Sequence, residues 1–272
     1  MPSLKKNIKL WNSDYDWSDK GEEWSRTWSD SQNQWDMYLY PRIRAFLPAD
    51  SILEIGCGFG KWTRFLKEYT SSLTAIDLSA KCIDHCKDLF RKDTNVSLYV
   101  NDGVSLDAIK RNSADFVFSF DSLVHADKEV INRYIQQIPA ILKENGVAFI
   151  HHSNLGSYPI YKFIESFPKL PGLFSRLGMG LHWRDTGVSA KFVNDCCNKA
   201  GLKCISQELM PWDRRKIYTD CISVIVKDDS GKNNFPVIYK NSSFGLEIDK
   251  AKVIKQLYYF PKDYFPKKKE IQ

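Results

Sequence analysis

Ile52-Leu53-Glu54-Ile55-Gly56-Cys57-Gly58-Phe59-Gly60 decides the fold. A short apolar run ends in three glycines and opens into Gly60–Tyr69, which has helical periodicity. Glycines in such a strand-to-helix turn supply left-handed backbone and let a ligand approach the main chain closely. Downstream the pattern repeats. Leu73–Ile76 reads as a strand, Ser79–Arg91 as a helix capped near Asp77 or Ser79, Val96–Val100 as a strand, and Asp115–Phe120 as another. Lys128–Lys143 is an amphipathic helix with Val130, Ile131, Tyr134, Ile135, Ile138 and Ile141 on one face, stopped by Asn145-Gly146. Val147–His152 follows as a strand. Strands alternating with helices, and apolar on both faces, predict an α/β fold with a doubly wound, mostly parallel sheet.

The chain continues with a helix over Ser189–Ala200 and strands over Leu202–Glu208 and Tyr218–Val226, which suggest a closing antiparallel hairpin. Residues 1–47 are read as a Trp-rich N-terminal cap, with five of the eight Trp (11, 17, 24, 28 and 35) and a break at Pro41. Residues 48–228 form the α/β domain. Within it, 155–187 is an insertion after the fifth strand, where such folds place substrate loops. Residues 229–272 are a basic, aromatic extension whose Tyr258, Tyr259, Phe260, Tyr264 and Phe265 are expected to pack back on the domain.

Three groups gather at strand ends. Glu54 precedes the glycines, Asp77 ends the second strand, and Asp102-Gly103 follows the third. A dinucleotide fingerprint is GxGxxG. Here the glycines are spaced GxGxG, and Lys61 takes the third expected place. Pyrophosphate favours helix N–H groups, whereas a zwitterionic methionine moiety tolerates an upstream acid. A carboxylate at Asp77 suits a ribose diol in either kind of cofactor, and Asp102 is placed to accept from an adenine amino group, the bland alternative being a simple turn.

On these motifs residues 51–152 resemble the core of class I S-adenosylmethionine-dependent methyltransferases, and 188–226 resemble its C-terminal half. The resemblance implies a Rossmann-like sheet of seven strands with the last antiparallel. It places the methionine part on the glycine loop (Gly56, Cys57, Gly58, Gly60), the ribose at Asp77 with Leu78, and the adenine at Asn101, Asp102 and Gly103. Asp121 and Trp28 are counted with this cofactor set.

Acceptor chemistry is expected beyond strands four and five. Phe118–His125 lacks the Asn/Asp-Pro-Pro-aromatic run of amino-methylating DNA enzymes, and no Pro-Cys nucleophile is present. Three of the five His (125, 151 and 152) fall at these strand ends. A neutral imidazole suits removal of a hydroxyl proton, so His152, His151 and His125 are the candidate bases. For each, structural packing is the alternative, and strand alternation lets only one of His151 and His152 face a substrate. Trp24, His182 and Arg184 are candidate acceptor contacts, weighed against a packed lid and a surface turn. FSFDSLVHAD and AFIHHSNL (118–127 and 148–155) also resemble methyltransferases of bacterial capsule and O-antigen biosynthesis. That would make the acceptor a sugar hydroxyl or phosphoryl group on a glycan or its nucleotide- or lipid-linked precursor. Rival readings are a small-molecule or RNA methyltransferase and a silent cofactor-binding protein.

Lys and Arg number 39 against 33 Asp and Glu, a net charge of +6 without the dense basic stripe of a nucleic-acid binder. Lys267-Lys268-Lys269 reads as a solvated tail, or as a weak contact with an anionic membrane surface. Seven Cys without a CxxC pair read as reduced thiols in a cytoplasmic protein, and no metal site is expected. No signal peptide and no stretch of membrane-spanning length is found.

Overall fold

The computed structural model describes residues 2–166, 183–211, 217–228 and 236–258. Eight strands form one mixed sheet: β1 Ala49–Ile55, β2 Thr70–Asp77, β3 Val96–Val100, β4 Ala114–Ser119, β5 Leu142–Ser153, β6 Leu202–Met210, β7 Asp220–Lys227 and β8 Val237–Lys240. Their order is β3-β2-β1-β4-β5-β7-β6-β8. The first five strands run parallel. β7 enters antiparallel to both β5 and β6. Strand order reverses between β1 and β4, so the carboxyl ends of these two strands flank the crevice where open α/β sheets bind ligands.

The expected count of seven strands is corrected to eight among the described residues. β8 pairs parallel with β6 from Ser206↔Val237 to Leu209↔Lys240. Its four residues are all exposed, so no alternation of burial marks it in the sequence. β5 also begins earlier than its apolar run, at Leu142, which pairs with Ala114 before a register shift.

Both faces of the sheet are covered. On one, Val117, Ala148 and Ile150 pack under the helices Lys128–Ile141 and Ala190–Lys199 through Val130, Ile135, Ile138 and Val193. Asp127 caps the first of these helices by accepting from the N–H groups of Glu129 and Val130. On the other face, Phe116, Phe118 and Phe149 meet Trp28, Trp35, Tyr38, Trp62 and Phe244. The Trp-rich segment thus supplies core as well as cap. Pro41 lies in a helical run broken by a π-turn, Trp35–Leu39, whose following N–H, of Tyr40, donates to Trp35 O. The wider turn absorbs the strain that a proline places on a helix.

The extension holds a helix, Phe244–Tyr258, that sequence periodicity does not indicate. It is fastened by Arg42, which reaches Glu208 Oε1 at 2.7 Å and Glu247 Oε2 at 2.9 Å while stacking on Tyr38. Tyr258 does not pack back, being 70% exposed. Tyr259, Phe260, Tyr264, Phe265 and the lysine cluster at 267–269 lie outside the described residues. Among the described residues no helix is long and apolar enough to cross a membrane.

Candidate active site

The glycine loop folds back over the end of β2. Gly56 N–H and Cys57 N–H donate to Ile76 O at 2.7 and 3.2 Å. Gly58 N–H donates to Asp77 Oδ2 and Ser79 N–H to Asp77 Oδ1, each at 2.8 Å. Asp77 therefore clamps the loop to the following helix. Gly56 has φ +77° and Gly58 φ +54°, both left-handed. Gly60 serves packing: a Cβ there would lie 2.7 Å from the Phe90 ring. It is not on the wall of the cavity.

That cavity opens between the loop, the ends of β2 to β4 and the N-terminal segment. Gly56, Cys57, Gly58, Asp77, Leu78, Asn101, Gly103 and Asp121 line it, as do Trp24 and His125 among the expected acceptor residues. Its roof comes from the N-terminal segment, through Leu4, Asn7, Trp11, Trp17 and Trp24. Trp17 stacks on Phe59 with ring centroids 4.4 Å apart. Leu4 sits so close to Gly103 that a Cβ on the glycine would be 2.7 Å from it, with Leu78 at 3.4 Å on the other side. Gly103 is thus packed closely against Leu4 and Leu78, with no room for a side chain.

Several expected residues lie elsewhere. Glu54 is buried beneath the loop and off the cavity wall, where its Oε2 is 2.6 Å from Thr63 Oγ1. Burial above all, then the Asp77 carboxylate, pushes its pKa up to about 8 despite that hydrogen bond. The folded protein therefore holds a proton that the unfolded chain releases near the ordinary carboxylate value. The resulting stability is present at low pH and is lost as pH rises to about 8. Glu54→Gln is expected to match the wild type in thermal unfolding near pH 5 and to exceed it by on the order of a few kcal/mol near pH 9. An equal difference at both pH values would refute this account.

Asp102 is exposed and off the cavity wall; its Oδ1 accepts from Val104 and Ser105 N–H at 2.9 and 2.7 Å. The simple-turn alternative describes it. Trp28 is buried against Tyr38 and Phe244, away from the cavity. His182 lies outside the described residues. Arg184 is not a free clamp: it is buried and engages Asp220 through Nε, and through Nη2 at 2.7 Å.

The three histidines separate by environment. His152 is fully buried, with Nδ1 2.8 Å from Ser153 O and Nε2 2.8 Å from Ser223 Oγ. A carbonyl only accepts, so Nδ1 carries the proton and Nε2 takes the serine hydroxyl. Burial, with a further push from His151, drives its pKa down to about 4. His152 is a structural residue, not a base. His151 is also fully buried, stacked on Phe120, with Nε2 3.3 Å from Asp220 Oδ2 and Nδ1 3.6 Å from Asp121 Oδ1. Burial lowers its pKa, but the two carboxylates outweigh it and the net shift is upward. β5 is an interior strand covered on both faces, so neither histidine reaches the cavity.

His125 does reach it. Its Nδ1 is 3.0 Å from Trp183 O, and its own carbonyl accepts from Asn7 Nδ2 at 2.7 Å. Nδ1 must donate to the Trp183 carbonyl, which leaves the Nε2 lone pair. Burial, reinforced by Arg184, pulls its pKa down to about 4, so the ring is neutral at physiological pH. Trp11 lies beside it with centroids 5.5 Å apart.

Two participants carry little or no signal in the sequence. Lys61 is buried on the cavity wall, 3.2 Å from Asp121 Oδ2 and 4.5 Å above the Trp62 ring. Its place next to the last glycine is the one feature that marks it. Asp220, at the start of β7, has none.

The cavity fits an adenosyl sulfonium better than a dinucleotide. Gly58 N–H, which would cradle a phosphate, is already given to Asp77. The Asp77 carboxylate disfavours a pyrophosphate beside it but suits a diol, while the charge of Asp121 is already met by Lys61.

Residues 52–146 match the family described as a methyltransferase domain. No curated protein matches the chain. Among solved structures, magnesium protoporphyrin IX methyltransferase from Synechocystis, with bound SAH, is similar at TM-score 0.57 and 14% identity, over 83% of this chain and 100% of that one. An S-adenosylmethionine-dependent methyltransferase from Clostridium acetobutylicum gives TM-score 0.54 at 15% identity, over 73% and 92% of the two chains. A Pyrococcus horikoshii protein gives 0.54 at 15% identity, over 81% and 96%. Fold and matched segment together define a Rossmann-like methyltransferase domain. The chain carries a methyltransferase domain over residues 52–146, and S-adenosylmethionine is its cofactor.

Proposed function

We propose that the protein methylates a hydroxyl oxygen on a small, sugar-bearing acceptor, such as a nucleotide- or lipid-linked precursor of a bacterial surface glycan. His125 is the general base in this reading. The observation that carries it is the Trp183 carbonyl at His125 Nδ1, which fixes the tautomer with an unprotonated Nε2 on a cavity-lining ring. Gly56, Gly58 and Asp121 would hold the methionine end of the cofactor, Asp77 the ribose, and Gly103 with Leu78 the adenine. Bound there, the cofactor supplies an electrophilic methyl group on sulfur. His125 Nε2 would take the hydroxyl proton as the methyl group passes to the oxygen, its bond to sulfur breaking to leave a neutral thioether, and Trp11 and Trp24 offer aromatic faces to a sugar ring. A roofed cavity favours a precursor over a finished polymer. Seven free thiols favour a cytoplasmic setting.

The test is incubation with methyl-labelled cofactor and a panel of nucleotide sugars, lipid-linked sugars, amines and RNA, with products mapped by mass spectrometry. An O-methyl sugar is the expected product. Label found only on nitrogen, carbon or RNA would overturn the proposal.

A further inference from the structure

A line of ionisable side chains runs through the interior behind the cavity. Lys61 Nζ lies 3.2 Å from Asp121 Oδ2. His151 Nδ1 lies 3.3 Å from the Asp121 backbone N and 3.6 Å from Oδ1 of the same residue. His151 Nε2 faces Asp220 Oδ2 at 3.3 Å, and Asp220 receives both Nε and Nη2 of Arg184. Only Lys61 and Asp121 line the cavity. His151, Asp220 and Arg184 are buried behind it. Buried ion pairs are poor contributors to stability compared with apolar packing, so such a chain calls for another reason.

Backbone conformation supplies one. Asp121 and Trp183 are not glycines, yet have φ +61° and +54°. Residues in this region persist when their surroundings over-determine them, and they cluster at functional sites. Asp121 is held by Lys61 and His151. Trp183 is held three ways: its carbonyl by His125, its indole N–H by Asn7 Oδ1 at 2.9 Å, and its neighbour Arg184 by Asp220. The chain therefore joins the floor of the cavity to the segment that orients His125 and meets the roof.

We propose that Arg184 and Asp220 are positioning residues that, through His151, set Asp121 and Lys61 at the cofactor end of the cavity and, through Trp183, set His125 at the other, so that the two ends are energetically coupled. The coupling to His125 rests on the acceptor reading above. The coupling to Asp121 does not, and its test needs no acceptor.

The full chain is titrated with S-adenosylhomocysteine by calorimetry. Asp220→Asn and Arg184→Met are each expected to weaken binding about tenfold, although neither side chain lines the cavity. Arg184→Lys, which keeps the charge, is expected to recover most of the loss. Combined with Lys61→Met, Asp220→Asn is expected to cost less than the product of the two single effects. Unchanged affinity in folded variants, multiplicative effects, or lysine no better than methionine would each overturn the proposal. A measurement on the wild type guards against variants that do not fold. The ligand is expected to shift the ¹⁵N resonances of the His151 ring and of the Trp183 indole, and stationary resonances would overturn the coupling. Failure to find an O-methylated sugar leaves these readouts standing, so the two ideas fall separately.

Discussion

Replacing His125 with alanine is expected to reduce kcat by about 10²- to 10⁴-fold, the range typical of losing a general base. Affinity for S-adenosylhomocysteine is expected to fall far less, by no more than the roughly tenfold expected of the buried-chain variants, because the proposed cofactor contacts come from other residues and His125 reaches them only through Trp183. With a pKa of about 4, His125 is neutral across the physiological range. Its folded-state pKa is depressed, so protonation, and with it loss of the base, occurs only as pH falls toward 4. Turnover is therefore expected to be flat from neutrality to about pH 5 and to decline below it. Such a weak base suffices for a late proton transfer, since a hydroxyl becomes strongly acidic once its oxygen has begun to bond to carbon. Wild-type turnover in the alanine variant would remove His125 from the mechanism. A parallel loss of cofactor affinity would make it a structural residue instead.

Gly56→Ala is expected to abolish measurable cofactor binding, a loss of at least about 100-fold, or about 2.7 kcal/mol. Two costs combine. A non-glycine residue at φ +77° is strained by about 1–2 kcal/mol. The new Cβ would lie 1.8 Å from Ser122 Oγ and 2.5 Å from Ser122 Cβ, so the segment after β4 must move, and Asp121 with it. Adding Ser122→Gly removes the clash but not the strain, so partial recovery is expected in the double variant. Titration calorimetry on the three proteins separates the two costs. Full affinity in Gly56→Ala would show that the loop accommodates a side chain.

The alternation of strands and helices was legible because buried parallel strands are apolar on both faces, and those at Thr70–Asp77 and Ala114–Ser119 lead into capped amphipathic helices. Ser79, one of the two caps read for the helix after the second strand, caps it in the structure. Legibility failed where position along a strand does not decide direction. Glu54 precedes the glycines but points beneath them, and Asp102 spends its carboxylate on its own turn. His151 and His152 were expected to divide between substrate and core. Both are fully buried, His151 against Phe120 and Asp220 and His152 against Ser223. The partnership of Lys61 with Asp121 and His151, and of Asp220 with Arg184, joins residues far apart in the chain, and no local spacing reports it. β8 is too short and too exposed to leave a periodic trace.

The placement of tryptophan has a practical consequence. Trp11, Trp17, Trp24 and Trp62 all stand on the wall of one cavity. Any molecule that enters changes the polarity around four indoles at once. Their ultraviolet emission is therefore a built-in, label-free optical signal of occupancy, with which candidate acceptors can be screened before any product has been characterised.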